Sequence, residues 1–126
     1  MAGLTYDTGA LVAGENNDRK LWALHRRALE RGVRPTIPAG VLAQAWRGGP
    51  QAELSRLVKG CRIEDLNELR GRAAGQACGR SNTADVIDAV VAVGAIARGD
   101  LVVTSDVKDI KHLASSLGAT LEILPI

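Results

Sequence analysis

The chain has 126 residues and a formal net charge of +2, and its aromatic residues are Tyr6, Trp22 and Trp46, with no phenylalanine. That length suits one domain over residues 1–126 with an aliphatic core, and such a domain needs no disulfide or metal staple to fold. Cys61 and Cys78 make no Cys-x-x-Cys pair, and the longest apolar stretch, Val86–Ala97, is interrupted by Asp88; zinc-site spacing and a membrane span are both excluded, no signal-peptide pattern is present, and a cytoplasmic protein is expected.

In chain order, Leu4–Tyr6 reads as a short strand ending at Asp7, and Thr8–Glu15 as a short helix. Asp18–Arg31 is an amphipathic helix with Leu21, Trp22, Leu24, Ala28 and Leu29 on one face, stopped by Gly32. Pro35–Ile37 is a second strand, and Pro38 opens a helix carrying Val41, Leu42, Ala45 and Trp46 that Gly48, Gly49 and Pro50 end. A helix over 51–58, a weak strand over 61–63 and a helix over 66–78 follow. Asn82 and Thr83 supply cap chemistry for a strong helix from Ala84 to about Ala97. Leu101–Thr104 is the clearest strand, 106–117 a helix, and 120–124 a last strand. Strands alternating with helices predict an α/β fold with a central parallel sheet covered on both faces, whose ligands bind beyond the carboxyl ends of the strands.

That edge singles out particular acids. Asp7 follows the first strand directly, and Asp106 follows the fourth. Either is explained alone as a helix cap; the signal is that two strands deliver aspartate to one edge. Asp109 lies three residues beyond Asp106, on the same end of its helix. Asp85 falls in the first turn of the late helix, where the dipole suffices to explain it. Asp88 lies deeper in that Ala/Val-rich helix, where a carboxylate needs a compensating cation or hydrogen bonds.

Converging carboxylates repel, and a hard divalent cation removes the conflict; oxygen-only ligands favour Mg²⁺ or Mn²⁺. Such a metal suits phosphodiester hydrolysis. Charge is also uneven: from Asp18 to Arg62 ten Lys/Arg face three Asp/Glu, and elsewhere six face eleven. A basic half beside an acidic focus suits a polyanion, although a solvated helix face explains it too. His25 and His112 have no partner at metal or triad spacing and are expected on the surface. No glycine pattern matches a phosphate loop, and Gly9 stands where a haloacid-dehalogenase-type phosphatase needs its second aspartate.

Three segments, Tyr6-Asp7-Thr8-Gly9-Ala10-Leu11, Asp85-Val86-Ile87-Asp88-Ala89 and Val103-Thr104-Ser105-Asp106-Val107-Lys108-Asp109, together resemble the PIN-domain family, most closely its small VapC-like toxins. The resemblance spans the chain and implies a three-layer α/β/α sandwich and an Mg²⁺- or Mn²⁺-dependent ribonuclease. It further implies a homodimer and a small antitoxin partner that blocks the pocket. Asp7, Asp88 and Asp106 match the family's catalytic, metal-binding acids, Asp109 an accessory acid, and Thr104 the hydroxyl residue that orients the fourth-strand acid. One departure stands out: Gln44 falls where the family has a glutamate. That substitution motivates an alternative, a PIN-like module that binds RNA or protein but cuts poorly. Glu15 or Asp18 is expected to compensate in part for the missing charge.

Overall fold

The computed structural model describes residues 3–126. The described residues form five strands, all in one parallel sheet, and seven helices. In chain order these are β1 (Leu4–Tyr6), α1 (Thr8–Glu15), α2 (Arg19–Glu30), β2 (Thr36–Pro38), α3 (Ala39–Ala45), α4 (Ala52–Lys59), β3 (Arg62–Glu64), α5 (Glu68–Ser81), α6 (Val86–Arg98), β4 (Leu101–Thr104), α7 (Val107–Ser116) and β5 (Ile123–Pro125).

The strand order is β3-β2-β1-β4-β5. The chain therefore winds outward from β1 through β2 to β3, then crosses back to build β4 and β5 on the other side. The reversal lies between β1 and β4, whose register pairs Leu4 with Leu101 and Tyr6 with Val103. In an open parallel sheet that reversal leaves a crevice at the carboxyl edge. Asp7 and Asp106 leave the sheet at this place.

Side-chain alternation along β1 assigns the two helical layers. Tyr6 reaches His25 of α2 on one face, and Thr5 hydrogen-bonds Arg98 at the end of α6 on the other. The first face is dry and aliphatic: Leu4, Leu11, Leu21, Ile37, Val41, Leu54 and Leu57 are fully buried. On the second, α6 lies against β1 and β4 with Val91 and Ala95 joining the main core, while its Ala89 and Ala92 pack with Ala74 and Ala77 of α5. The alanines let α5 and α6 approach each other closely. Beneath α6, Arg98 ties together Asp100 and Glu64.

Gly32 and Gly99 end α2 and α6 with φ of +75° and +71°, conformations that glycine adopts without strain. Other boundaries shift from the sequence expectation. Asn67 accepts from the Arg70 amide and starts α5 at Glu68. Asn82, expected to open the next helix, instead closes α5 in a left-handed turn. Asp85, expected inside the first turn of α6, is its N-cap and accepts the Asp88 amide at 3.0 Å. The final strand begins at Ile123 rather than Thr120. Trp46 lies just past the end of α3 and is exposed.

His25 is the clearest correction: it is 3% exposed rather than on the surface. Its Nδ1 lies 3.0 Å from the buried Tyr6 hydroxyl. A phenol inside an aliphatic core needs such a partner. His112 is exposed as expected. Both cysteines are free, with Cys61 buried. No helix among the described residues is long and apolar enough to cross a membrane.

Candidate metal centre

Asp7 extends β1 by one ladder bond, its amide donating to Val103 O at 3.0 Å. The residue is 1% exposed. One carboxylate oxygen accepts from the Thr8 amide at 2.7 Å and so caps α1. The other accepts from the Thr104 hydroxyl at 2.6 Å. Capping thus accounts for only half of this carboxylate. Burial raises its pKa, the two hydrogen bonds pull it back, and Asp106 and Asp85 push it up further.

Asp106 sits at the N-cap of α7, and its carbonyl accepts the Ile110 amide. Its carboxylate makes no capping bond. A cap explanation therefore covers its backbone and leaves its side chain for other work. Asp88 comes from the first turn of α6 and is 5% exposed. Its carboxyl is pushed up to about 7, first by burial and then by Asp7, Asp85, Asp106 and Asp109.

These three aspartates, from β1, α6 and the β4–α7 turn, each bring one oxygen to within 4.8 Å of the others. Thr104 locks two of them together, since its hydroxyl donates to Asp7 and accepts from the Asp106 amide at 2.8 Å. Gly9 allows α1 to lie against the same turn: a Cβ there would sit 2.9 Å from Ser105 N and closer still to its Oγ. Thr104→Val keeps the shape but strips both bonds. A loss of about 1–3 kcal/mol is expected in chemical denaturation, with Mn²⁺ affinity down by roughly tenfold or more.

Asp88 and Asp106 line an open cleft of about 620 Å³ that also takes in Thr8, Gln44, Arg47 and Ser105, with Asp7 buried behind it. Gln44 faces this cleft from α3, but its Oε1 is engaged by the Thr8 hydroxyl. Asp85 lines the rim. Asp109 is exposed on the first turn of α7; it is not among the three acids whose oxygens converge, and it acts on Asp88 as a nearby charge. Neither Glu15 nor Asp18 lines the cleft, so neither replaces the missing glutamate: Glu15 binds Gln51, and Asp18 caps α2.

Arg47 is a feature that sequence reasoning missed. It brings a cation to the rim while its Nη1 donates to the Ala43 and Trp46 carbonyls at 3.2 and 2.8 Å. The available signal was its place three residues beyond Gln44. Three carboxylates, two buried and with raised pKa values, fit a hard divalent cation: only oxygen is offered, and an ion would relieve their repulsion.

The architecture can be matched outside this chain. A chain of the VapBC2 complex of Rickettsia felis, crystallised with a DNA fragment from their promoter, superposes with a TM-score of 0.71 and 17% identity over 98% of each chain. A chain of the DNA-bound VapBC complex of Salmonella typhimurium does so with 0.71 and 17%, over 99% of this chain and 98% of that one. This is a VapC-like PIN fold. The PIN-like fold extends to PAE2754 of Pyrobaculum aerophilum, at a TM-score of 0.62 and 16% identity over 94% of this chain and 88% of that one. No protein-family model and no curated protein matches the sequence. At these identities the likeness is one of fold, and the chemistry is argued from the site itself.

Proposed function

We propose that this chain is a metal-dependent endoribonuclease, the toxin of a VapBC-type pair. The observation that carries the reading is the convergence of Asp7, Asp88 and Asp106 at the topological reversal of a PIN-like sheet. These three would hold Mg²⁺ or Mn²⁺, which when bound supplies an activated water and neutralises charge on a phosphoryl oxygen. Thr104 fixes the Asp7 oxygen and the β4–α7 turn. Asp88, its carboxyl pushed up to about 7 by burial and the neighbouring acids, would give up its proton on binding the ion. Arg47, which lines the same cleft, offers a cation to the phosphodiester. An antitoxin that covers this cleft belongs to the same reading, in keeping with the VapBC complexes that share the fold, and a homodimer is proposed with it.

Gln44 favours a second reading, a cleft that binds RNA and cuts it slowly, because an amide supplies no charge and is already engaged by Thr8. The first reading is tested with structured RNAs, with and without Mg²⁺ or Mn²⁺. Cleavage is expected only with metal, and Asp7→Asn should reduce it by about 10²-fold or more. Undiminished cleavage by Asp7→Asn would falsify it.

A further inference from the structure

We propose that a second cleft, between α2 and α4, is a phosphate-binding site that seats the backbone of single-stranded RNA. The cleft shares no residue with the carboxylate cleft. It encloses about 580 Å³, and Arg19, Arg26, Arg56, Asn17, Trp22 and His25 line it with no acid among its lining residues. Arg56 is set in place by stacking, its guanidinium carbon 3.8 Å from the centre of the Trp22 ring. Glu53 pairs with Arg56 at 2.6 Å in an exposed contact, which leaves other guanidinium donors free.

The floor of the cleft carries the more specific signal. Tyr6 is fully buried, and its hydroxyl has no partner among the described residues except His25 Nδ1. We assign Nδ1 as the acceptor, the tautomer that satisfies the buried phenol proton, which puts the ring N–H on Nε2. That Nε2 has no hydrogen-bond partner among the described residues and is not among their buried unpaired atoms, so it opens onto the cleft. It points past Gly60, where a Cβ would lie 2.8 Å away; a side chain at residue 60 would plug the opening. Burial, and then Arg56, lower the imidazole pKa and so favour the neutral ring.

Every polar group offered is thus a donor or a cation, apart from the Asn17 carbonyl, which suits a phosphate. Arg19 and Arg26 are seven residues apart on α2, about 10 Å along the axis. That separation reaches along a chain of phosphates rather than around one isolated carboxylate. Three basic residues of the 18–62 segment, Arg19, Arg26 and Arg56, line this cleft, while Arg47 of the same segment lines the acidic one. The choice of RNA rests on the ribonuclease reading.

The test is fluorescence anisotropy of a 5′-labelled, twelve-nucleotide single-stranded RNA, in EDTA so that no cleavage intervenes. The double variant Arg19→Gln/Arg26→Gln should weaken binding by about tenfold or more, and should lower the salt slope by about 1.4 for two lost phosphate contacts. Lys108→Gln/Lys111→Gln, on exposed α7 positions, removes equal charge elsewhere and should change little. Titration of inorganic phosphate should shift the His25 Nε2–H signal in nitrogen-15 NMR. Unchanged affinity in the arginine variant, an equal loss in the lysine variant, or a proton found on Nδ1 overturns the proposal. So does tighter arginine-dependent binding of a polyglutamate peptide, which marks a protein site, or inorganic phosphate binding as tightly as the RNA, which marks a free-anion site. The two readings fail separately: RNA binding through these arginines without cleavage sinks the nuclease reading alone.

Discussion

Asp88→Asn is expected to make the metal-free protein more stable while abolishing its activity. The buried Asp88 carboxyl stands near 7 against an ordinary 3.8. A folded-state pKa raised above the unfolded one means the folded chain binds more protons between about 4 and 7. Stability is then greatest at low pH and falls as pH rises through that window. Asp7 is shifted in the same direction. At pH 7.5 in EDTA the asparagine removes a buried charge and keeps the side-chain shape. A gain on the order of 2 kcal/mol follows, or roughly 4–8 °C in Tm. Wild-type Tm in EDTA should fall from pH 5 to 8, with a flatter line for the variant. Saturating Mn²⁺ should rescue wild type, by about 2.7 kcal/mol at a hundred times Kd, and leave Asp88→Asn unmoved. A less stable variant with an unaltered pH slope would show that Asp88 is satisfied by the fold alone.

Gln44→Glu is expected to strengthen the centre. The position faces the cleft beside Asp85, Asp88 and Asp106. A carboxylate there adds charge without changing length, and can still accept the Thr8 hydroxyl that now binds Gln44. Mn²⁺ affinity should rise about tenfold, a change of about 1.4 kcal/mol, with kcat/KM on RNA rising alongside. The metal-free protein should lose stability, since another like charge joins the cluster. If affinity and kcat/KM are unchanged or lower, the amide itself is part of a working site, and Gln44 is no lesion.

The strand-end acids could be read from sequence because the junction is local: a hydrophobic run, an aspartate, then a helix. Asp88 was visible for a different reason, as an ionisable residue in an Ala/Val helix. What the sequence could not carry was partnership across elements. His25 looked like one more polar residue among arginines, because its partner Tyr6 lies on another element and reaches it only through the fold. The start of α6 was misplaced since Asn82, Thr83 and Asp85 all have capping chemistry, and only the left-handed turn at Asn82 decides among them. The basic excess was countable, but the grouping of Arg19, Arg26 and Arg56 around one cleft depends on how α4 lies beside α2. Glu15 and Asp18 were near Asp7 in sequence, yet α1 carries them away from the cleft.

The most direct measurement is anomalous diffraction from crystals soaked in Mn²⁺. A peak is expected between Asp7, Asp88 and Asp106, about 2.0–2.6 Å from an oxygen of each, and it should vanish in Asp88→Asn. Crystals saturated with Mn²⁺ that show no peak there, or a peak bound only by other residues, would contradict the assignment of these three aspartates as the metal centre.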